Sequence, residues 1–226
     1  MRRTLFARLY AWAVQRLYDE FAWAYDWVSW LVSFGQWGAY RSQVLDHIQG
    51  TRILEIGFGT GEILLELTGK KYFVVGVDSS IPMHRITKRK FDRLDIKCKT
   101  VFGRSQRLPF SPQSFDCILS TFPAEYIYDL DTFLEFKRIL SKENNIRSEL
   151  PGRVVVCGAY FQRDDGLINR LFRFLFGEPE KPAKEIFLEL SREAGFSFSI
   201  IQPKGDKIQL PVMLFEINPT GNGISY

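Results

Sequence analysis

The residues best suited to chemistry in this 226-residue chain fall between Glu55 and Asp78. Gly57, Gly59 and Gly61 occupy alternate positions in Gly-Phe-Gly-Thr-Gly, after the apolar run Ile53-Leu54-Glu55-Ile56 and before Glu62-Ile63-Leu64-Leu65-Glu66-Leu67. Glycine reaches positive φ and lets a ligand approach the backbone closely. A helix start presents unpaired N–H groups. Strand, tight turn and helix together predict a nucleotide cradle around Gly57, Phe58, Gly59 and Gly61. Twenty-one residues after Gly57, Asp78 closes a second apolar run, Tyr72–Val77. A carboxylate at that strand tip is placed to accept hydrogen bonds from ribose hydroxyls, with Ser79 beside it. The spacing is not the G-x-G-x-x-G of dinucleotide binders, because Glu62 stands where its third glycine would be.

The elements that must position these groups read as one α/β unit. Ser79-Ser80-Ile81-Pro82-Met83 opens a helix that runs through Lys90, with Pro82 in its first turn. Lys97–Phe102 alternates as a third strand. Ser114–Leu119 leads into a fourth that ends at Ser120-Thr121, and residues 131–141 carry a helical apolar pattern. Arg153–Ala159, Phe196–Gln202 and Val212–Asn218 read as further strands, and Ala183–Ala194 as an amphipathic helix. Ser141–Gly152 is a polar loop, and Thr220–Tyr226 a flexible tail.

Composition narrows the class. Cys98, Cys117 and Cys157 cannot all pair, and they sit in or beside strand-like runs, as small core residues of a reduced, cytoplasmic protein do. Two histidines without a Cys/His cluster argue against a zinc site. From Arg85 to Arg107, nine Lys/Arg face two Asp. That run reads either as a solvated helix face or as a track for a phosphate backbone. His84 has no partner in sequence and reads as a helix-start residue.

The Glu55–Gly61 turn with Asp78 resembles the first two motifs of the class I S-adenosylmethionine-dependent methyltransferases. Gly103-Arg104-Ser105-Gln106-Arg107-Leu108-Pro109-Phe110, Ser114-Phe115-Asp116 and Leu134–Leu140 resemble the family's later segments. The resemblance implies a Rossmann-like doubly wound fold, with a seven-stranded, mostly parallel sheet whose last strand is antiparallel. It implies S-adenosyl-L-methionine as cofactor and S-adenosyl-L-homocysteine as product, Glu55 facing the methionine end and Asp78 binding the ribose. The aspartate that would accept from adenine is Arg104 here, and an arginine cannot accept a hydrogen bond. Adenine reading then falls to Ser105, Gln106 or backbone groups, with the guanidinium stacked on the ring. Tyr18–Asp26 resembles a segment of quinone and related C- or N-methyltransferases, whose second tyrosine closes over the cofactor; that is Tyr25 here. In open α/β sheets the ligand crevice lies beyond the carboxyl ends of the strands. Thr121 is therefore expected beside the cofactor, and Glu125 and Tyr126 are the candidate proton acceptors or pocket-shaping groups.

All five tryptophans lie in the first 37 residues. Residues 1–50 read as an aromatic helical cap on a methyltransferase domain spanning 51–226. The cap either closes the cofactor pocket or dips into an anionic membrane surface, with the Leu/Phe/Arg helix at 166–177 as a second lipid-facing or lid element. No transmembrane span is expected, because polar residues and charges interrupt the apolar runs. The leading expectation is methyl transfer to a small or amphiphilic hydrophobic acceptor, a lipid head group or quinone-like ring, by a cytoplasmic enzyme peripheral to the membrane. An RNA or protein methyltransferase using residues 85–107, and a non-catalytic cofactor-binding protein, are the alternatives.

Overall fold

Strands that are apolar on both sides need cover on both faces, and the intervening amphipathic helices supply it. In the computed structural model, which describes residues 43–70, 72–141, 150–158, 182–201 and 210–218, the order is as follows. β1 (Arg52–Ile56) leads through the glycine turn to α1 (Glu62–Thr68), and β2 (Phe73–Asp78) to α2 (Ile81–Arg93). β3 (Thr100–Phe102) and β4 (Cys117–Thr121) follow, then a 3₁₀ turn (Glu125–Tyr128) and α3 (Leu130–Ile139). β5 (Arg153–Cys157), α4 (Ala183–Ala194), β6 (Phe196–Ile201) and β7 (Val212–Ile217) complete it. Of the aromatic cap expected over residues 1–50, only 43–50 are described; Tyr25, the helix expected at 166–177, most of the polar loop and the tail from 220 lie outside the described residues.

The seven-stranded sheet runs β3-β2-β1-β4-β5-β7-β6. β1 to β5 are mutually parallel, and β7 alone runs antiparallel, slotted between β5 and β6. This is the expected Rossmann-like doubly wound sheet with its antiparallel last strand. The strand period of two divides the core. Ile53, Val74, Leu119 and Val155 pack with Leu64, Met83 and Phe91 of α1 and α2. Leu54, Val75, Ile118 and Val154 pack with Phe133, Phe136 and Phe187 of α3 and α4. β3 is shorter than the alternation from Lys97 suggests, since pairing with β2 begins only at Thr100, opposite Gly76. The 3₁₀ turn has no periodic pattern to announce it.

Two features hold the sheet in the shape that the site needs. Gly76 lies mid-strand in β2, where a Cβ would stand 2.6 Å from Leu64 Cδ1 and 2.7 Å from Phe58 Cδ1. The close helix–strand approach that a dinucleotide fingerprint obtains from its third glycine comes here from β2. At the opposite end of the strands, Asp116 accepts hydrogen bonds from Thr51 N–H at 3.0 Å and Arg52 N–H at 2.9 Å, and pairs with the Arg52 guanidinium. Burial disfavours the charged form, but the Arg52 side chain and the two backbone donors outweigh it and hold this carboxyl below its ordinary 3.8. A depressed native value means that the stabilisation is present above the unfolded-state value and is lost as pH falls through the native one. Asp116→Asn is therefore expected to flatten the acid limb of a stability-versus-pH profile. Gly76→Ala is expected to cost about 1–3 kcal/mol by overpacking, read as a lowered denaturant midpoint; an unchanged midpoint would mean that α1 moves away freely.

Candidate functional site

The glycine turn is built from three left-handed residues, Gly57 at φ 71°, Gly59 at φ 53° and Gly61 at φ 76°. Side chains rarely tolerate that region, so the alternation of glycines is a backbone requirement. Gly57 N–H donates to Val77 O at 2.8 Å, and Gly61 N–H to Phe58 O at 2.9 Å. From α2, Thr87 donates to Gly59 O at 3.0 Å and Lys90 to Thr60 O at 2.9 Å, while Lys90 also pairs with Glu62. The sequence concealed Thr87 and Lys90, because nothing in a helical basic run marks which cation turns inward. Of that run, Lys88 pairs with Asp92, and Lys99 lies 4.1 Å over the Phe73 ring.

Asp78 ends β2 beside this turn. Its Oδ2 accepts from Gly59 N–H at 2.9 Å and its Oδ1 from Ser80 N–H at 2.8 Å, so one carboxylate ties the turn to the start of α2. A carboxylate offers about four acceptor directions, which leaves Asp78 able to take ligand hydroxyls as well. Burial pushes its carboxyl above the usual 3.8, against the pull of the backbone donors from Gly59 and Ser80. Ser79 is exposed next to it. Glu55 is buried at 2 % exposure, in register with Gly76 and Leu119. The Phe58 ring is buried in the core and meets the His84 ring edge-on, with centroids 4.8 Å apart. His84 is thus more than a helix-start residue: its Nε2 lies 3.0 Å from Asp78 O, packing the first turn of α2 onto the strand tip.

On the β3 side, Arg104 is exposed and Ser105 buried. The Ser105 hydroxyl lies 3.0 Å from Thr132 Oγ1, and Gln106 donates to Asp129 Oδ2 at 2.9 Å. Both side chains expected to read adenine are thus hydrogen-bonded to α3 or its N-cap residue Asp129. On the β4 side, Thr121 pairs with Cys157. Phe122 adopts a left-handed backbone at φ 48°, and its ring fills the space where a Cβ of Gly158 would sit, 2.7 Å from Cδ1. Strained non-glycine residues of this kind persist where surrounding structure holds them, often at functional sites. The Tyr126 hydroxyl donates to Ile56 O at 3.1 Å and lies 2.7 Å from Ser120 Oγ. A Cβ on Gly57 would be 2.7 Å from that hydroxyl, so glycine there also makes room for the phenol. Glu125 is exposed at the first position of the 3₁₀ turn.

The tips of β1, β2, β3 and β4 thus gather Gly57–Gly61, Asp78, Arg104–Ser105, Thr121 and Glu125–Tyr126 on one edge of the sheet. Three left-handed glycines facing a hydroxyl-accepting carboxylate fit an adenosyl ligand. Among the described residues no cluster of His, Cys, Asp and Glu could hold a metal ion, and no helix is long and apolar enough to cross a membrane.

A family model described as a methyltransferase domain matches residues 53–143. A demethylmenaquinone methyltransferase from Roseiflexus sp. (strain RS-1) is 32% identical over 207 residues, covering 81% of this chain and 85% of that protein. A ubiquinone/menaquinone biosynthesis C-methyltransferase from Geotalea uraniireducens (strain Rf4) is 29% identical over 144 residues, 58% of this chain and 59% of that one. The crystal structure of a geranyl diphosphate C-methyltransferase from Streptomyces coelicolor A3(2), in complex with Mg2+, geranyl diphosphate and S-adenosyl-L-homocysteine, shares the fold with a TM-score of 0.60 at 13% identity, over 79% of this chain and 78% of that one.

Removing the Asp78 charge tests the ribose-side assignment. Asp78→Asn is expected to weaken S-adenosylhomocysteine binding by about 10–100-fold, the worth of a charge-assisted hydrogen bond. In the unsubstituted protein, affinity should fall on acidification, beginning above the ordinary aspartate range; the variant's affinity should be flat there. Calorimetric titration across pH reads both, and equal affinities at every pH would remove Asp78 from the site.

Proposed function

The chain belongs to the class I S-adenosylmethionine-dependent methyltransferases, and we propose that its acceptor is a lipid-like, quinone-type ring methylated at carbon. The observation that carries the reading is the 32% identity over 207 residues with a protein named demethylmenaquinone methyltransferase. The apolar surroundings of the β4 and β5 tips, with Phe122 against Gly158 and buried Ile127, support an acceptor of that character.

Bound S-adenosylmethionine supplies a methyl group on a positively charged sulfur. The chain's own work is alignment and exclusion of water. Asp78 takes the ribose hydroxyls, the left-handed turn from Gly57 to Gly61 gives the ligand close approach to backbone, and Glu55 and Thr121 flank the methionine end. A ring hydroxyl that loses its proton makes the neighbouring ring carbon nucleophilic, so this acceptor calls for a base. Glu125, exposed one residue before Tyr126, takes that proton; once the ring carbon carries the methyl, the hydrogen on that carbon is lost as a proton to solvent, and the ring oxygen takes back the proton held by Glu125. Tyr126, with its hydroxyl donated to Ile56 O, fixes the mouth of the pocket.

The tryptophans of the first 37 residues support work at an anionic membrane surface from the cytoplasmic side, where a lipid-tailed acceptor resides.

The direct test supplies S-adenosylmethionine with a reduced, prenylated naphthoquinone lacking its ring methyl, alongside transfer RNA and phosphoethanolamine, and follows methyl transfer by mass spectrometry. Ring-carbon methylation is expected, with Glu125→Gln lowering kcat by about 100-fold, within the range for general bases. Transfer to RNA or to the amine, with none to the quinol, would contradict the reading.

A further inference from the structure

α3 carries two kinds of surface. Phe133, Phe136 and Ile139 enter the core, whereas Asp129, Thr132, Glu135 and Arg138 recur at every third position from its N-cap onward. Residues three apart lie on adjacent turns of a helix. All four of these polar side chains grip one stretch of chain, Ser105–Phe110. Asp129 accepts from Gln106, and the Thr132 hydroxyl meets Ser105. Glu135 Oε1 accepts from Leu108 N–H at 2.6 Å. The Arg138 guanidinium donates to Leu108 O at 3.1 Å and to Phe110 O at 2.8 Å. Its fork also holds Glu135, at 2.7 Å to Oε2 and 2.8 Å to Oε1.

This stretch contains no helix or named strand; the isolated bridge between Arg104 and Arg107 is its regular feature. Its shape is therefore imposed by the side chains of α3. The same helix follows directly on the 3₁₀ turn whose Tyr126 contacts the backbone of β1. Five hydrogen bonds join α3 and its N-cap residue to this one short stretch.

We propose that Thr132, Glu135 and Arg138 are positioning residues for the cofactor, holding the Arg104–Leu108 backbone where it reads the adenine ring. The inference rests on the reading that this segment borders the adenine. Glu135 and Arg138 act through the stretch of backbone that both of them hold. Arg138→Lys keeps the positive charge but loses the planar fork that spans two carbonyls and a carboxylate.

The test titrates the full chain with S-adenosylhomocysteine and with its inosine counterpart, S-inosylhomocysteine. The unsubstituted protein should prefer adenine by about tenfold or more, as expected where a hydrogen-bonding site meets the wrong base edge. Arg138→Lys should raise the dissociation constant for S-adenosylhomocysteine about tenfold, the size of one charge-assisted hydrogen bond, and collapse the adenine preference. KM for S-adenosylmethionine should rise in parallel, with kcat within about twofold. Thr132→Val, which removes the partner of Ser105 at nearly constant volume, should move the same quantities in the same direction if the lysine variant fails to fold. Arg153→Lys loosens a comparable fork to Glu216 and His47 O at the far end of the sheet, and should leave affinity and preference unchanged. Variants that lose thermal stability yet keep both the affinity and the preference would overturn the proposal. A protein that never distinguishes adenine from hypoxanthine would overturn the adenine-segment reading on which it rests.

Discussion

One carboxylate governs the geometry of the site. Asp78 receives the N–H of Gly59 from the turn after β1 and the N–H of Ser80 from the start of α2, so two segments far apart in sequence are fixed against one side chain at the tip of β2. Burial raises the cost of its charge, and the backbone donors offset only part of that cost. A turn of three left-handed glycines has little rigidity of its own. Asp78, Thr87 and Lys90 together supply it from the α2 side, and Tyr126 with Ser120 from the β4 side.

The sheet then decides what the cradle is used for. β1 lies between β2 and β4: the chain runs outward from β1 through β2 to β3, then crosses back to β4 on the other side of β1, and such a reversal of strand order opens a crevice at the carboxyl ends of these strands. One wall of that crevice is polar, with Asp78 and Ser79. The other is apolar and sterically tight, with Phe122 packed on Gly158 and Ile127 beneath the 3₁₀ turn.

Much of this was legible in the sequence, for physical reasons that differ by element. Alternate glycines after an apolar run leave few backbone options, so β1, the turn and α1 could be read directly. Ser80 and Pro82 mark the start of α2, and Gly195, left-handed at φ 76°, marks the end of α4. The parallel order and the lone antiparallel strand followed from family resemblance rather than from periodicity. What escaped notice depends on three-dimensional neighbours. Gly76 looks like an interruption in a strand until Leu64 and Phe58 are placed against it. Lys90 looks like one of many surface cations. The stripe of Asp129, Thr132, Glu135 and Arg138 is masked by the apolar pattern of the same helix, and its partner segment has no pattern at all. Short unpatterned turns such as Glu125–Tyr128 give no periodic signal to read.

We propose that the turn from Gly57 to Gly61 and the Asp78 carboxylate hold an adenosyl ligand, with its sulfur directed toward Thr121 and Tyr126. A crystal structure of the full chain grown with S-adenosylhomocysteine tests this most directly. The expected result is ribose hydroxyls within hydrogen-bonding distance of Asp78, adenine against the Arg104–Leu108 segment, and the sulfur on the β4 side of Gly57. Ligand density elsewhere on the molecule, or a crevice at these strand tips that stays empty with the ligand in excess, would contradict it.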